Sequence, residues 1–144
     1  MRYPFIAGNW KMYKTIAEAR AFAEEFKKIY QPSDVRVAVC APYPQLPFLV
    51  EAFRGTGIGV GAQNVHYEAE GAFTGEISIP MLEEIGVDYC IVGHSERRQY
   101  FNESDDTVNR KVKALLETKI VPIVCVGENL QQKDAGYERQ LVSE

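Results

Sequence analysis

The sequence predicts an α/β fold with parallel strands, and three observations carry that prediction. Five short apolar runs rich in β-branched residues recur along the chain, starting at residues 5, 35, 58, 87 and 120, about 29 residues apart on average. Segments of helical period lie between them. The gaps are long enough for the covering crossover of a dozen or more residues that parallel neighbours require.

Taken in order, Phe5 to Gly8 reads as the first strand. Thr15 and Glu18 then form a capping box, with Ala19, Phe22, Phe26 and Ile29 on one face of the first helix, which Pro32 stops. Val35 to Ala41 is the second strand. Leu46, Leu49, Val50 and Phe53 follow the i, i+3, i+4, i+7 pattern of a second helix, with Pro47 in its first turn and Gly55 after it. Ile58 to Ala62 is the third strand, and Ser78 caps a short helix through Met81, Leu82 and Ile85 to Gly86. Val87 to Gly93 is the fourth strand. Beyond Ser104, the residues Val108, Val112, Leu115 and Leu116 align on a fourth helix, and Ile120 to Gly127 is the fifth strand. The residues from about Gly136 to Glu144 read as the beginning of another helix. All of this is expected to form a single domain, residues 1–144.

Five such units fit either a doubly wound sheet or part of a closed barrel. Eight units at this spacing would need about 230 residues, near the ~250 typical of a (β/α)8 barrel. The run Gly57-Ile58-Gly59-Val60-Gly61-Ala62 satisfies a dinucleotide-binding pattern, but it overlaps the strand itself and no helical period follows. Its small residues read instead as permitting close packing.

With 144 residues, 46% hydrophobic and 25% charged, the chain has an ordinary globular composition and can bury a real core. Sixteen Lys and Arg against twenty Asp and Glu leave a net charge of −4, which favours neither a nucleic-acid nor a membrane-surface partner. No apolar stretch approaches the ~20 residues of a membrane span. Met1-Arg2-Tyr3-Pro4 leads straight into a strand without a signal region, so a cytoplasmic location is expected. Cys40, Cys90 and Cys125 lie in separate apolar runs without C-x-x-C spacing, and the two histidines stand at no ligand spacing from them. The three read as reduced core residues, and no metal site is expected.

In parallel α/β folds, ligands meet the carboxyl ends of the strands. The first strand runs out into Asn9-Trp10-Lys11. Alternation puts Phe5, Ala7, Asn9 and Lys11 on one face, which delivers an amide and an ammonium together. The fourth runs out into Gly93-His94-Ser95-Glu96-Arg97-Arg98, and the same rule groups Cys90, Val92 and His94. The beginning of a helical turn there favours a neutral imidazole. Taken alone, such a lysine is more often a solvated charge, and such a histidine more often structural.

Ala7-Gly8-Asn9-Trp10-Lys11-Met12, Gly61-Ala62-Gln63-Asn64, Gly71-Ala72-Phe73-Thr74-Gly75-Glu76, Val92-Gly93-His94-Ser95-Glu96-Arg97-Arg98 and Cys125-Val126-Gly127-Glu128 together resemble the triosephosphate isomerase family. They stand in order and in register with its first five strands. The resemblance implies a parallel (β/α)8 TIM barrel, of which these residues carry strands 1–5 with their helices, an incomplete barrel. It implies a homodimeric cytoplasmic enzyme of glycolysis and gluconeogenesis that interconverts dihydroxyacetone phosphate and D-glyceraldehyde 3-phosphate through an enediolate, without cofactor or metal.

By that resemblance, His94 polarises the substrate carbonyl and shuttles protons as a neutral donor. Lys11 offsets phosphate and enediolate charge. Asn9 hydrogen-bonds substrate and orients its neighbours. Glu96 stands near the lysine in a supporting role, and Ser95 is expected to cap the turn under His94. The loop from Gln63 to Glu76, beginning with Gln63 and Asn64, is implied to project into a partner subunit. Thr74 would reach the partner's Asn9 and the partner's Glu96, and Glu76 would pair with Arg97 across that interface.

The family's base is a glutamate within a sequence of the Y-E-P-V-W kind, which these residues do not contain, and Glu128 and Glu138 belong to no such motif. The lid and the later phosphate loops are likewise outside them. These 144 residues alone are therefore expected to be inactive, and a five-stranded sheet that cannot close is expected to self-associate. The competing expectation is a non-catalytic α/β module whose Gln63 to Glu76 loop serves self-association.

Overall fold

The computed structural model describes residues 4–127. Its strands are β1 (Phe5–Asn9), β2 (Arg36–Ala41), β3 (Ile58–Ala62), β4 (Tyr89–Val92) and β5 (Val121–Val124). Its helices are α1 (Ile16–Ile29), α2 (Leu46–Ala52), α3 (Ile79–Ile85), α4 (Ser95–Tyr100) and α5 (Asp105–Leu116), with a 3-10 turn at Tyr43–Gln45. The helix expected from Gly136 to Glu144, together with Glu128 and Glu138, lies outside the described residues.

Every strand pairs in parallel with its neighbour in sequence, giving the order β1-β2-β3-β4-β5. A doubly wound sheet reverses direction at a switch point, whereas this sheet always advances the same way, as a barrel does. The sheet also curls. The Phe5 and Tyr89 rings lie 4.8 Å apart between centroids, although β1 and β4 would stand about 14 Å apart in a flat sheet. The glycines of β3 permit this approach: a Cβ on Gly59 would fall 2.7 Å from the Tyr89 ring, and one on Gly61 would fall 2.7 Å from the Cys40 Sγ. The small residues of the Gly57 to Ala62 run thus serve close packing, and a loop follows them before α3 begins at Ile79.

The convex face carries the helices. Val39, Ala41, Val60, Ala62, Cys90 and Val92 of the sheet pack against Ala19 and Ala23 of α1, Leu46 and Leu49 of α2, Leu82 of α3, and Val108 and Leu115 of α5. Local chemistry sets the helix ends. Thr15 and Glu18 form the expected capping box on α1. Ser78 accepts from the Met81 N–H, and Gly86 closes α3 in the left-handed region at φ 94°. Ser104 and Thr107 form a second box on α5.

Three side chains expected on buried faces are exposed: Ile29, Met81 and Leu116. Ile29 is the last residue of α1 and runs past the sheet, where Ala23 takes the buried position. Met81 and Leu116 each lie one residue, about 100° of helix, from the buried Leu82 and Leu115. Cys40 and Cys90 are buried and Cys125 is half-buried. Desolvation pushes the Cys40 and Cys90 thiols up to about 12, which makes them packing groups rather than nucleophiles.

Candidate active site

Asn9 ends β1, and the chain turns sharply beyond it. Trp10 still donates its N–H to the Cys40 carbonyl at 2.9 Å, extending the ladder by one bond. Lys11 then adopts φ 56°, in the left-handed region. Strand alternation therefore does not place Lys11. Its N–H instead donates to the Asn9 Oδ1 at 2.9 Å, closing a turn through the asparagine side chain. Its backbone carbonyl accepts from the Gln63 Nε2 at 2.9 Å.

Alternation does not place His94 either. Cys90 and Val92 point into the helix-facing core, and Gly93, at φ 73°, breaks the strand before the histidine. His94 is the N-cap of α4, and its Nδ1 accepts the Glu96 N–H at 3.1 Å. The expected cap was Ser95, which is instead the first residue of the helix. Its hydroxyl sits one residue too late to receive the amide that the imidazole takes. An N–H aimed at Nδ1 requires a lone pair there, so the hydrogen-bond pattern assigns the ring proton to Nε2.

Glu96 joins the two strand ends. Its Oε2 lies 3.2 Å from the Lys11 Nζ, while its backbone N–H holds His94. The Lys11–Glu96 pair is about half exposed, so it contributes at most about 1 kcal/mol to stability and serves mainly to orient the ammonium. The ammonium, the imidazole and the Asn9 amide thus gather at the carboxyl ends of β1 and β4. A preorganised donor set of this kind suits an anionic substrate whose oxygens gain charge during reaction.

Beneath this mouth lies a buried network that the sequence reading missed. The Lys111 Nζ donates to the Glu103 Oε2 and to the Asn64 Oδ1, both at 2.8 Å. The other Glu103 oxygen accepts the Gly93 N–H at 3.2 Å, and the Arg98 Nε donates to the Gly93 carbonyl at 2.9 Å. Both polar groups of the glycine before His94 are thereby pinned. Burial works to raise the Glu103 carboxyl, but the Lys111 hydrogen bond and charge, the Arg97 guanidinium and the Gly93 N–H together hold it below the ordinary carboxylate value. One signal was legible: Lys111 stands three residues after Val108 and four before Leu115, on the buried stripe of α5. A lysine on a core stripe calls for an acidic partner.

The residues assigned by resemblance to a subunit interface divide into two groups. Gln63 and Asn64 turn into their own chain, toward Asn9 and Lys111 respectively. Thr74 and Glu76 lie on the exposed part of the loop, which folds around His66, stacked on Tyr67 and packed against Phe73. Within the chain, the Glu76 Oε1 lies 4.0 Å from the His66 Nδ1, and the Arg97 Nε lies 3.5 Å from the Glu103 Oε2. Among the described residues, no group of three or more His, Cys, Asp or Glu could hold a metal ion, and no helix is long and apolar enough to cross a membrane.

A family model described as "Triosephosphate isomerase" matches residues 4–144. The triosephosphate isomerase of Alkaliphilus metalliredigens is 55% identical over 135 residues, covering 94% of this chain and 54% of its own length. That of a Synechococcus species is 55% identical over 142 residues, covering 94% and 56%. That of Clostridium botulinum is 51% identical over 142 residues, covering 99% and 57%. The chain thus spans a little over half the length of the curated relatives it matches.

Proposed function

This chain belongs to the triosephosphate isomerase family, and from that premise we propose that it supplies the electrophilic half of an isomerase site acting on triose phosphates, as one domain spanning residues 1–144. The observation that carries the reading is the bridge made by Glu96, whose carboxylate meets the Lys11 ammonium at 3.2 Å while its N–H meets the His94 ring at 3.1 Å.

In the proposed reaction, a carboxylate base removes a proton from the carbon next to the substrate carbonyl. The His94 Nε2–H hydrogen-bonds the carbonyl oxygen, which becomes an enediolate oxygen, and the imidazole moves a proton between the two substrate oxygens. Lys11 offsets the charge of the phosphate and the enediolate, and Asn9 hydrogen-bonds the substrate. Glu96 acts by holding Lys11 and the ring in place, and Ser95 supports the turn. The base belongs to the motif absent from these 144 residues, so a polypeptide of these residues alone is expected to show no turnover, since a positioned base contributes about 10²- to 10⁴-fold.

The reading extends to a cytoplasmic homodimer of glycolysis and gluconeogenesis in which Thr74, Glu76 and Arg97 meet a partner subunit. The identity of its relatives and the exposure of that loop support this. The test is an isomerase assay on the full-length protein with dihydroxyacetone phosphate. His94→Gln and Lys11→Ala are each expected to lower kcat/KM by about 10²-fold or more. Wild-type turnover in either variant would remove that residue from the mechanism, and a wild-type protein without isomerase activity would remove the whole reading.

A further inference from the structure

We propose that Gln63 is a positioning residue: its side-chain amide sets the left-handed Lys11 backbone and leaves Asn9 able only to donate. The inference rests on the site proposed above and assigns Gln63 a task within its own chain.

Gln63 follows β3 directly, and its Nε2 reaches three acceptors: the Lys11 carbonyl at 2.9 Å, the Asn9 Oδ1 at 3.2 Å and the Cys40 carbonyl at 3.3 Å. Two of these are backbone carbonyls, which only accept, so the atom among them must be the amino nitrogen. The same reasoning orients Asn9. The Lys11 N–H only donates, and it meets the Asn9 side chain at 2.9 Å, so the atom there is Oδ1. With the Lys11 N–H and Gln63 both donating to it, both lone pairs of that oxygen are engaged. Asn9 then has only its amino hydrogens to offer another molecule.

A donor of fixed polarity at this mouth favours an oxygen that accumulates negative charge over a neutral or donating group. Lys11 gains as well. Its φ of 56° is costly for a residue with a Cβ. The bonds on its N–H and its carbonyl hold the peptide in that conformation, and with it the root of the ammonium that reaches Glu96.

The experiment uses the full-length protein with Gln63→Met, which keeps length and removes the donors, and Gln63→Glu, which places oxygens against three oxygens. Two readouts apply. The first is amide hydrogen exchange at Lys11, expected to speed by at least about tenfold in both variants, because its N–H then bonds an Asn9 side chain free to turn over. This readout does not need isomerase activity, so it separates failure of the inference from failure of the functional reading. The second is kinetic: kcat/KM is expected to fall about 10- to 100-fold, as when a group is displaced by an ångström, with Gln63→Glu the worse. Adding Asn9→Ala to Gln63→Met should cost little more than Asn9→Ala alone, because Gln63 acts through Asn9. Unchanged Lys11 exchange in variants that keep the wild-type melting temperature would overturn the proposal, as would losses that multiply in the double variant. Should Gln63→Met fail to fold, Gln63→Glu alone decides between these outcomes.

Discussion

Glu103 is a buried carboxylate that remains charged because three neighbours oppose the cost of burying it. Its native value is depressed, so the stability it contributes is complete above the unfolded carboxylate value, about 4.3, and is lost as pH falls through the lower native value. Glu103→Ala strands the buried Lys111 ammonium and is expected to cost about 3–5 kcal/mol in denaturant unfolding of the full-length protein. A loss under 1 kcal/mol would mean that Lys111 finds another partner. Glu103→Gln should flatten the acid limb of the stability–pH curve below about pH 4; an unaltered limb would assign acid sensitivity to other groups. At this scale the sequence was only partly legible. Asn9, Lys11, His94 and Glu96 could be picked out from motifs beside strand ends, but Glu103 could not, since its role depends on a lysine eight residues away and on a glycine of another element.

Helix ends were the most legible elements, because a cap is a local hydrogen bond written in three or four residues. The boxes at Thr15 and Glu18 and at Ser104 and Thr107 follow directly from side-chain chemistry. Thr15→Ala is expected to cost about 1 kcal/mol and to speed hydrogen exchange in the first turn of α1. Exchange unchanged there would show that packing, not the cap, holds that turn. The β1–α1 and β4–α4 turns were harder to read. Period-2 reasoning carries a side chain's direction only while the backbone stays extended, and the positive φ of Lys11 and Gly93 ends it just where the functional groups begin. That Lys11 and His94 still converge is due to Glu96 and Gln63, two contacts that close over dozens of residues.

Across the whole molecule, the sheet is open on both sides. Ile6 on β1, and Val121 and Val124 on β5, are exposed, as is Val126 just beyond. A polypeptide of these 144 residues alone is expected to bind an apolar dye and to sediment above monomer mass, since open strand edges and uncovered apolar surface favour association. A compact monomer without dye binding would contradict this. Hydrophobic rhythm, caps and glycine spacing by themselves determined that the chain alternates strands and helices, where most helices begin, and which motifs lie at strand ends, because each of these is an interaction among near neighbours in sequence. Only the tertiary structure decided that the sheet advances in one direction and curls until Phe5 meets Tyr89, that Lys111 and Glu103 lie paired beneath the mouth, and that Gln63 turns inward to Asn9. Those outcomes depend on which distant groups the crossovers bring within hydrogen-bonding reach, and no local pattern encodes a contact between residues 54 positions apart.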